Sequence, residues 1–277
     1  MIYKAICLSS ILWILAISAN ALTMCGETKQ GEMLIGKDKS ITKVFFKSKQ
    51  LPISENGEFA LALGRDEGSE IHFVTVDKDK EKHDYYLFIK PAKWDVQELN
   101  GVPQSKAKPS ASNQAEIDRE YADVDASVAA ESEFNFWHNG FIRPVKGGRI
   151  SGEFGGQRII NGEKKNPHRG TDIAVPEGTD VMAANDGIVA LSGGNYFYSG
   201  NLVVINHGQN LFTLYAHLKS TEVKVGQHVK KGDIIGHVGK NGRATGPPLH
   251  FGASLNNVRF NPSSLRNINK SDLCFEL

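Results

Sequence analysis

The sequence predicts a mainly β protein in which a small N-terminal β-sandwich and a C-terminal antiparallel β domain flank a partly helical linker. Three observations predict it. Short runs rich in β-branched and aromatic residues, broken by turn signals, fill the first third of the chain. The stretch 101–135 shifts to Ser, Ala, Pro, Lys and acids. From Phe136 onward glycine punctuates β sequence with few helix formers.

Taken in order, residues 1–21 read as a secretory signal peptide. Lys4 gives the positive start, residues 6–17 the apolar run, and Ala19-Asn20-Ala21 the small-residue cleavage site that sets a mature start at Leu22. The apolar run is shorter than the ~20 residues that span a bilayer. The mature chain is therefore expected to be exported, periplasmic or in the cell envelope, without a transmembrane anchor. A lipoprotein reading through Leu22-Thr23-Met24-Cys25 is weaker, because Met24 is bulky where a small residue is needed. Cys7 leaves with the leader. Cys25 and Cys274 remain at opposite ends, either joined as an exported pair or free near frayed termini.

Residues 22–100 carry the sandwich, with strand-like runs at 41–46, 59–63, 71–76 and 85–89 and an Asn56-Gly57 turn. Its His72 and His83 have no ligand partner at motif spacing. Residues 101–135 form the linker. Asn113 can cap a helix with Glu116 at its third position, and Ile117, Tyr121 and Val124 fall on one stripe. The expectation is a spacer with a solvated acidic face. Residues 136–277 hold two echoing stretches, 175–181 with 186–189 and 223–229 with 231–236, each read as strand, glycine turn, strand.

Composition narrows the function. Of 277 residues 40% are hydrophobic and 23% charged, enough for a core and too mixed for wholesale disorder or a polytopic membrane protein. Lys plus Arg is 32 against 31 Asp plus Glu, and removing Lys4 with the leader leaves 31 against 31. No polycation is present to bind nucleic acid.

Chemistry concentrates late in the chain. His168 and Asp172 are separated by three residues in Pro167-His168-Arg169-Gly170-Thr171-Asp172, where Gly170 and β-branched neighbours oppose a helix and point to a loop residue followed by a strand. Adding His250, on a second strand-like segment, gives two imidazoles and a carboxylate. That set leaves zinc an open fourth position, the count of a catalytic site. The remaining histidines, His138, His207, His228 and His237, read as turn or surface residues.

Four motifs in order carry a family resemblance: Gly152-Glu153-Phe154-Gly155, His168-x-x-x-Asp172, Tyr215-Ala216-His217-Leu218 and Pro248-Leu249-His250-Phe251. Over residues 141–262 the chain resembles the lysostaphin-type (LytM-like) zinc metalloendopeptidases, which cut peptide cross-links of bacterial peptidoglycan. The resemblance implies that peptidase fold, zinc on His168, Asp172 and His250, and His217 as a catalytic residue acting on water or on the developing oxyanion. It also exposes a departure. The family's last motif is His-x-His, and Pro248 stands where its first, catalytic histidine belongs. Proline offers no donor, acceptor or proton. A slow peptidoglycan endopeptidase is expected, with a non-hydrolytic zinc-binding activator of cell-wall amidases as the alternative. The partners implied are peptidoglycan peptide stems or a cell-wall hydrolase, and the chain is expected to be a monomer. The valine-glycine repeats also resemble biotin and lipoyl carriers, but the turn 184–187 has no lysine to modify.

Overall fold

The computed structural model describes residues 21–101, 108–129, 134–136, 140–242, 248–268 and 270–277. The expectations for residues 1–20, Pro103, His138 and the Gly246-Pro247 turn lie outside the described residues. The first strands follow the β-branched runs: β1 (Thr23–Cys25), β2 (Met33–Lys37), β3 (Ile41–Phe46), β4 (Lys49–Leu51), β5 (Glu58–Ala62), β6 (Glu70–Asp77) and β7 (Lys82–Phe88). They form two sheets, one containing β1-β2-β5 and the other ordered β4-β3-β6-β7. Alternation along β6 and along β3 beyond its irregularity at 41–43 turns Val44, Phe46, Ile71 and Phe73, with Ile41, inward onto Leu34, Phe59 and Leu61 of the first sheet. The expected sandwich forms.

The chain continues through β8 (Val96–Leu99), helix α1 (Gln114–Ser127), β9 (Arg149–Gly152), β10 (Gln157–Ile160), β11 (Glu163–Lys164) and β12 (Gly170–Ala174). After these come β13 (Asp180–Met182), β14 (Gly187–Tyr196), β15 (Gly200–Asn206), β16 (Leu211–Thr221), β17 (His228–Val229), β18 (Ile234–Val238), β19 (Pro248–Leu255), β20 (Val258–Phe260) and β21 (Cys274–Glu276). The large sheet runs β17-β14-β15-β16-β19-β12-β9, and its neighbours are antiparallel. The two valine-glycine stretches supply β13 with β14 and β17 with β18, as the repeat implied.

Three features depart from separate domains on a spacer. First, β5 is buried on both faces. Phe59 and Leu61 enter the sandwich core, while Ala60 and Ala62, with Met33 and Ile35 of β2, join the core of the large sheet around Tyr215, Phe251 and Ile173. A strand reading Glu-Phe-Ala-Leu-Ala, apolar without alternation, is suited to that double burial. Second, β21 returns to the sandwich and pairs with β1, with Cys25 directly opposite Cys274, and the two are joined in a disulfide. The tail after residue 262 thus ends in the first domain. The open choice between paired and free thiols resolves to the pair.

Third, α1 is not a solvated spacer. Val124 and Val128, just beyond its end, pack on Leu202, Val204, Phe212, Leu214 and Ala216, the face of the large sheet turned away from the main core. A fully buried aliphatic side chain contributes ~1.5–3 kcal/mol, so this stripe holds the helix down. Tyr121 stays largely exposed. Asn113 occupies the cap position without a side-chain bond to the helix, and its Oδ1 accepts instead from Ser110. Among the described residues no helix is long and apolar enough to cross a membrane.

Candidate metal centre

Strand register places the central groups. In the β12–β19 pair Asp172 lies opposite His250, Gly170 opposite Gly252 and Ala174 opposite Pro248. With a side-chain period of two, Asp172 and His250 share the sheet face that α1 also covers. His168 precedes β12 in the loop, as its sequence indicated. Its Nε2 stands 3.1 Å from Asp172 Oδ1 and 3.1 Å from His250 Nδ1, and His250 Nδ1 stands 2.8 Å from Asp172 Oδ1. Glycine makes the convergence possible. A Cβ at Gly170 would stand 2.7 Å from His250 Nε2, and one at Gly152 would stand 2.9 Å from Asp172 Oδ2.

Nitrogen and oxygen donors bound tetrahedrally to zinc at ~2.0–2.2 Å are roughly 3.3–3.5 Å apart. The three atoms observed need open by about 0.2–0.7 Å to take such an ion, so the donor set fits the metal. The tautomer fits as well. His168 Nδ1–H donates to the Glu153 carbonyl at 2.9 Å, which leaves Nε2 as the lone-pair nitrogen. Burial opposes ionisation of Asp172, but the hydrogen bonds and charges of His168 and His250 outweigh it and hold the carboxyl below the usual range. For His168 burial is the largest influence and opposes charge, but the hydrogen bond and charge of Asp172 and the Glu153 carbonyl together outweigh it and raise the pKa. Burial keeps His250 down.

His217 reaches the same face by a different route. Between Tyr215 and Leu218 β16 carries two residues where β15, from Val203 to Asn201, carries one, so a β-bulge interrupts the ladder. His217 sits in that bulge at φ 64°. A non-glycine residue at positive φ is uncommon, and strain of this kind gathers at functional sites. The bulge re-aims a side chain that strict alternation would send into the main core beside Tyr215. Its backbone N–H donates to Ser199 O at 2.8 Å and its carbonyl accepts from Gly239 N at 2.9 Å. Its Nδ1–H donates to Asn241 O at 2.9 Å, leaving Nε2 unprotonated, and its ring centroid lies 6.0 Å from that of His250. Burial, then the charge of His250, lowers its pKa.

The sequence reading missed Glu120. This carboxylate of α1 is 4% exposed and accepts the backbone N–H groups of Tyr198 and Ser199 at 2.8 and 3.0 Å, together with the Ser199 hydroxyl. Ser199 is the residue whose carbonyl holds His217. The signal was present: Ile117, Glu120 and Val124 fall at i, i+3 and i+7, so Glu120 lies on the apolar stripe and not on the solvated face. The loop 195–200 thus adjoins His217 through the Ser199 carbonyl.

Other histidines sort differently. His207 is no surface turn. It is fully buried, donates from Nδ1 to Asp186 O and accepts at Nε2 from Thr213, each at 2.7 Å, and burial pushes its pKa down to about 4. His72 and His83, expected without partners, pair with Asp84 and Asp77 at 2.6 and 2.9 Å. His237 lies 3.3 Å from Asp180 and from Glu222, and His228 is exposed on β17. None joins the centre. Pro248 lies on β19 two residues before His250 and so on the same face, the location from which a side chain would reach the trio.

The family model described as Peptidase family M23 matches residues 166–262. Peptidoglycan DD-endopeptidase ShyC of Vibrio cholerae is 41% identical over 128 residues, 45% of this chain and 29% of that protein. DD-carboxypeptidase/endopeptidase Mpg of Neisseria meningitidis is 40% identical over 124 residues, 45% of this chain and 28% of that protein. The chain thus spans less than a third of the length of these curated relatives. A crystal structure of a peptidase M23 from Pseudomonas aeruginosa superposes with TM-score 0.68 at 25% identity, over 88% of this chain and 96% of that one.

Proposed function

We propose that this chain, whose residues 166–262 match the model described as Peptidase family M23, is an exported zinc endopeptidase that cleaves peptide cross-links of bacterial peptidoglycan, acting as a monomer. The observation that carries the proposal is the convergence of His168 Nε2, Asp172 Oδ1 and His250 Nδ1 within 3.1 Å of one another, with the unprotonated face of His217 alongside. These three side chains would hold the ion. Once bound, zinc supplies Lewis acidity toward a carbonyl oxygen and activates water near neutral pH.

The protein's own residues do the rest. The Glu153 carbonyl fixes the His168 ring, and Asp172 carries the negative charge that offsets the ion's. His217, kept neutral by burial, takes a proton at Nε2 and returns it to the departing amine, while Asn241 O holds its Nδ1–H throughout. Pro248 removes a second group from the same face. A positioned acid or base contributes ~10²–10⁴-fold, so the site turns over slowly.

The substitution Pro248→His tests this. It should raise chelator-sensitive release of peptides from purified peptidoglycan by up to ~10²–10⁴-fold. Zinc bound tightly, with no cleavage by either protein, would favour the second reading, to which Pro248 itself points: a zinc-binding regulator of cell-wall amidases.

A further inference from the structure

The loop Glu153–Gly156 is the scaffold of His168. Beyond the Glu153 bond to Nδ1, Gly155 N–H donates to His168 O at 2.9 Å and His168 N–H donates to Gly156 O at 2.8 Å. Both backbone groups of His168, and the nitrogen opposite its donor atom, therefore rest on four consecutive residues. That loop has no regular structure of its own, and residues from the N-terminal part of the chain pack against it.

Arg65, in the turn after β5, donates from Nε to Gly155 O at 2.7 Å. Its guanidinium carbon lies 5.4 Å from the centre of the Trp94 ring, within cation–π range. Trp94 meets Phe154 edge-on with centroids 5.8 Å apart. Its indole also lies flat against Gly155, whose φ of 79° and missing Cβ allow the approach, since a Cβ there would overlap the ring. Immediately after, Gln157 N–H donates to Asp95 O at 2.7 Å, and β8 runs parallel to β10 from Val96↔Gln157 to Leu99↔Ile160. The indole and the guanidinium thus clamp one side of the loop, and His168 hangs from the other.

We infer that Arg65 and Trp94 are positioning residues for His168, so that the N-terminal sandwich and the segment leaving it tune metal binding at a centre to which they contribute no donor. The inference rests on the reading of His168, Asp172 and His250 as zinc ligands. Partners that orient a ligand typically account for ~10–100-fold in metal affinity. A loop freed from Trp94 and Arg65 lets the Glu153 carbonyl drift, and with it the tautomer and direction of the imidazole.

The test uses the full chain with its Cys25–Cys274 disulfide. Zinc affinity is measured by competition with a chromogenic chelator, and the visible absorption of the cobalt(II)-loaded protein reports ligand geometry. Trp94→Ala and Arg65→Ala should each weaken zinc by ~10–100-fold and alter the cobalt bands, and Trp94→Phe should recover most of both. Leu51→Ala, in the far sheet of the sandwich, controls for stability and should lower the melting temperature while leaving the cobalt spectrum as in wild type. Wild-type affinity and spectrum in Trp94→Ala would overturn the inference, as would an equal loss in Leu51→Ala. A wild-type protein that binds no zinc would overturn the reading of the site itself, and the positioning role with it.

Discussion

Two halves of one centre stand 6.0 Å apart, ring to ring, between His250 and His217, and they are placed by different physics. The half with His168, Asp172 and His250 follows from regular register: adjacent antiparallel strands bring residues 172 and 250 opposite each other, and glycines at 152 and 170 make room. The other half breaks register. His217 enters through a bulge at positive φ, and its backbone N–H hangs from a loop fastened to a buried carboxylate on α1. Donors on paired strands are preorganised by the sheet itself. A bulged residue needs support from outside the sheet, and here a segment far upstream provides it.

The comparison is broken most completely at Asp172, because Oδ1 is the atom shared by both imidazoles. Asp172→Ala leaves the facing nitrogens of two imidazoles, 3.1 Å apart, without the oxygen both approach. Zinc affinity should fall by more than the ~10–100-fold that follows loss of an outer partner, and peptide release should drop to background. Metal content after dialysis checks it: retained zinc would remove Asp172 from the ligand set. His217→Ala separates the halves. It should keep zinc at wild-type affinity while kcat falls by ~10²–10⁴-fold. Loss of zinc in that variant would mean that the two halves are one unit.

The same contrast explains what could be read in the sequence. Much that depends on local pattern was legible: the sandwich strands β3, β5, β6 and β7, the repeated strand-turn-strand units, and a His168-x-x-x-Asp172 loop leading into a strand. His250 was legible as well, because three donors of suitable type are rare enough to count together. The roles of α1 and β5 were not. Both are statements about packing partners far away in the chain, and an amphipathic stripe such as Ile117, Glu120 and Val124 does not name the surface it meets. The bulge at His217 was invisible for another reason. One extra residue in a ladder leaves no mark on hydrophobic alternation when its neighbours, Tyr215, Ala216 and Leu218, are all apolar and buried.

A smaller effect sharpens the comparison at Glu120. Glu120→Gln keeps one acceptor oxygen but turns an amide N–H₂ toward a backbone N–H, so one of Tyr198 and Ser199 loses its partner. Stability should drop by ~1–3 kcal/mol, the cost of a buried donor left unpaired. Small displacements of a catalytic group can cost ~10²-fold, so kcat should fall by up to that factor with zinc affinity and the cobalt spectrum unchanged. A change in metal binding instead would show that α1 supports the trio as well as His217.

The smallest effect on the site belongs to His207, which serves neither half and provides the control for histidine titration. Burial lowers its native pKa to about 4, against ~6.5 in an unfolded chain. The native state therefore holds it neutral, while the unfolded state takes up a proton as pH falls below that value. The resulting stability is complete above pH ~6.5 and is lost progressively between there and about 4, to a total of roughly 3 kcal/mol. The difference between wild type and His207→Gln in urea unfolding isolates it from the carboxylates, which titrate in both proteins. That difference should shrink between pH 7 and pH 4.5. Zinc affinity at pH 7 should be the same in the two proteins, because the ring lies on the main-core side of the sheet against Phe141 and Thr213, away from the face that carries Asp172 and His250.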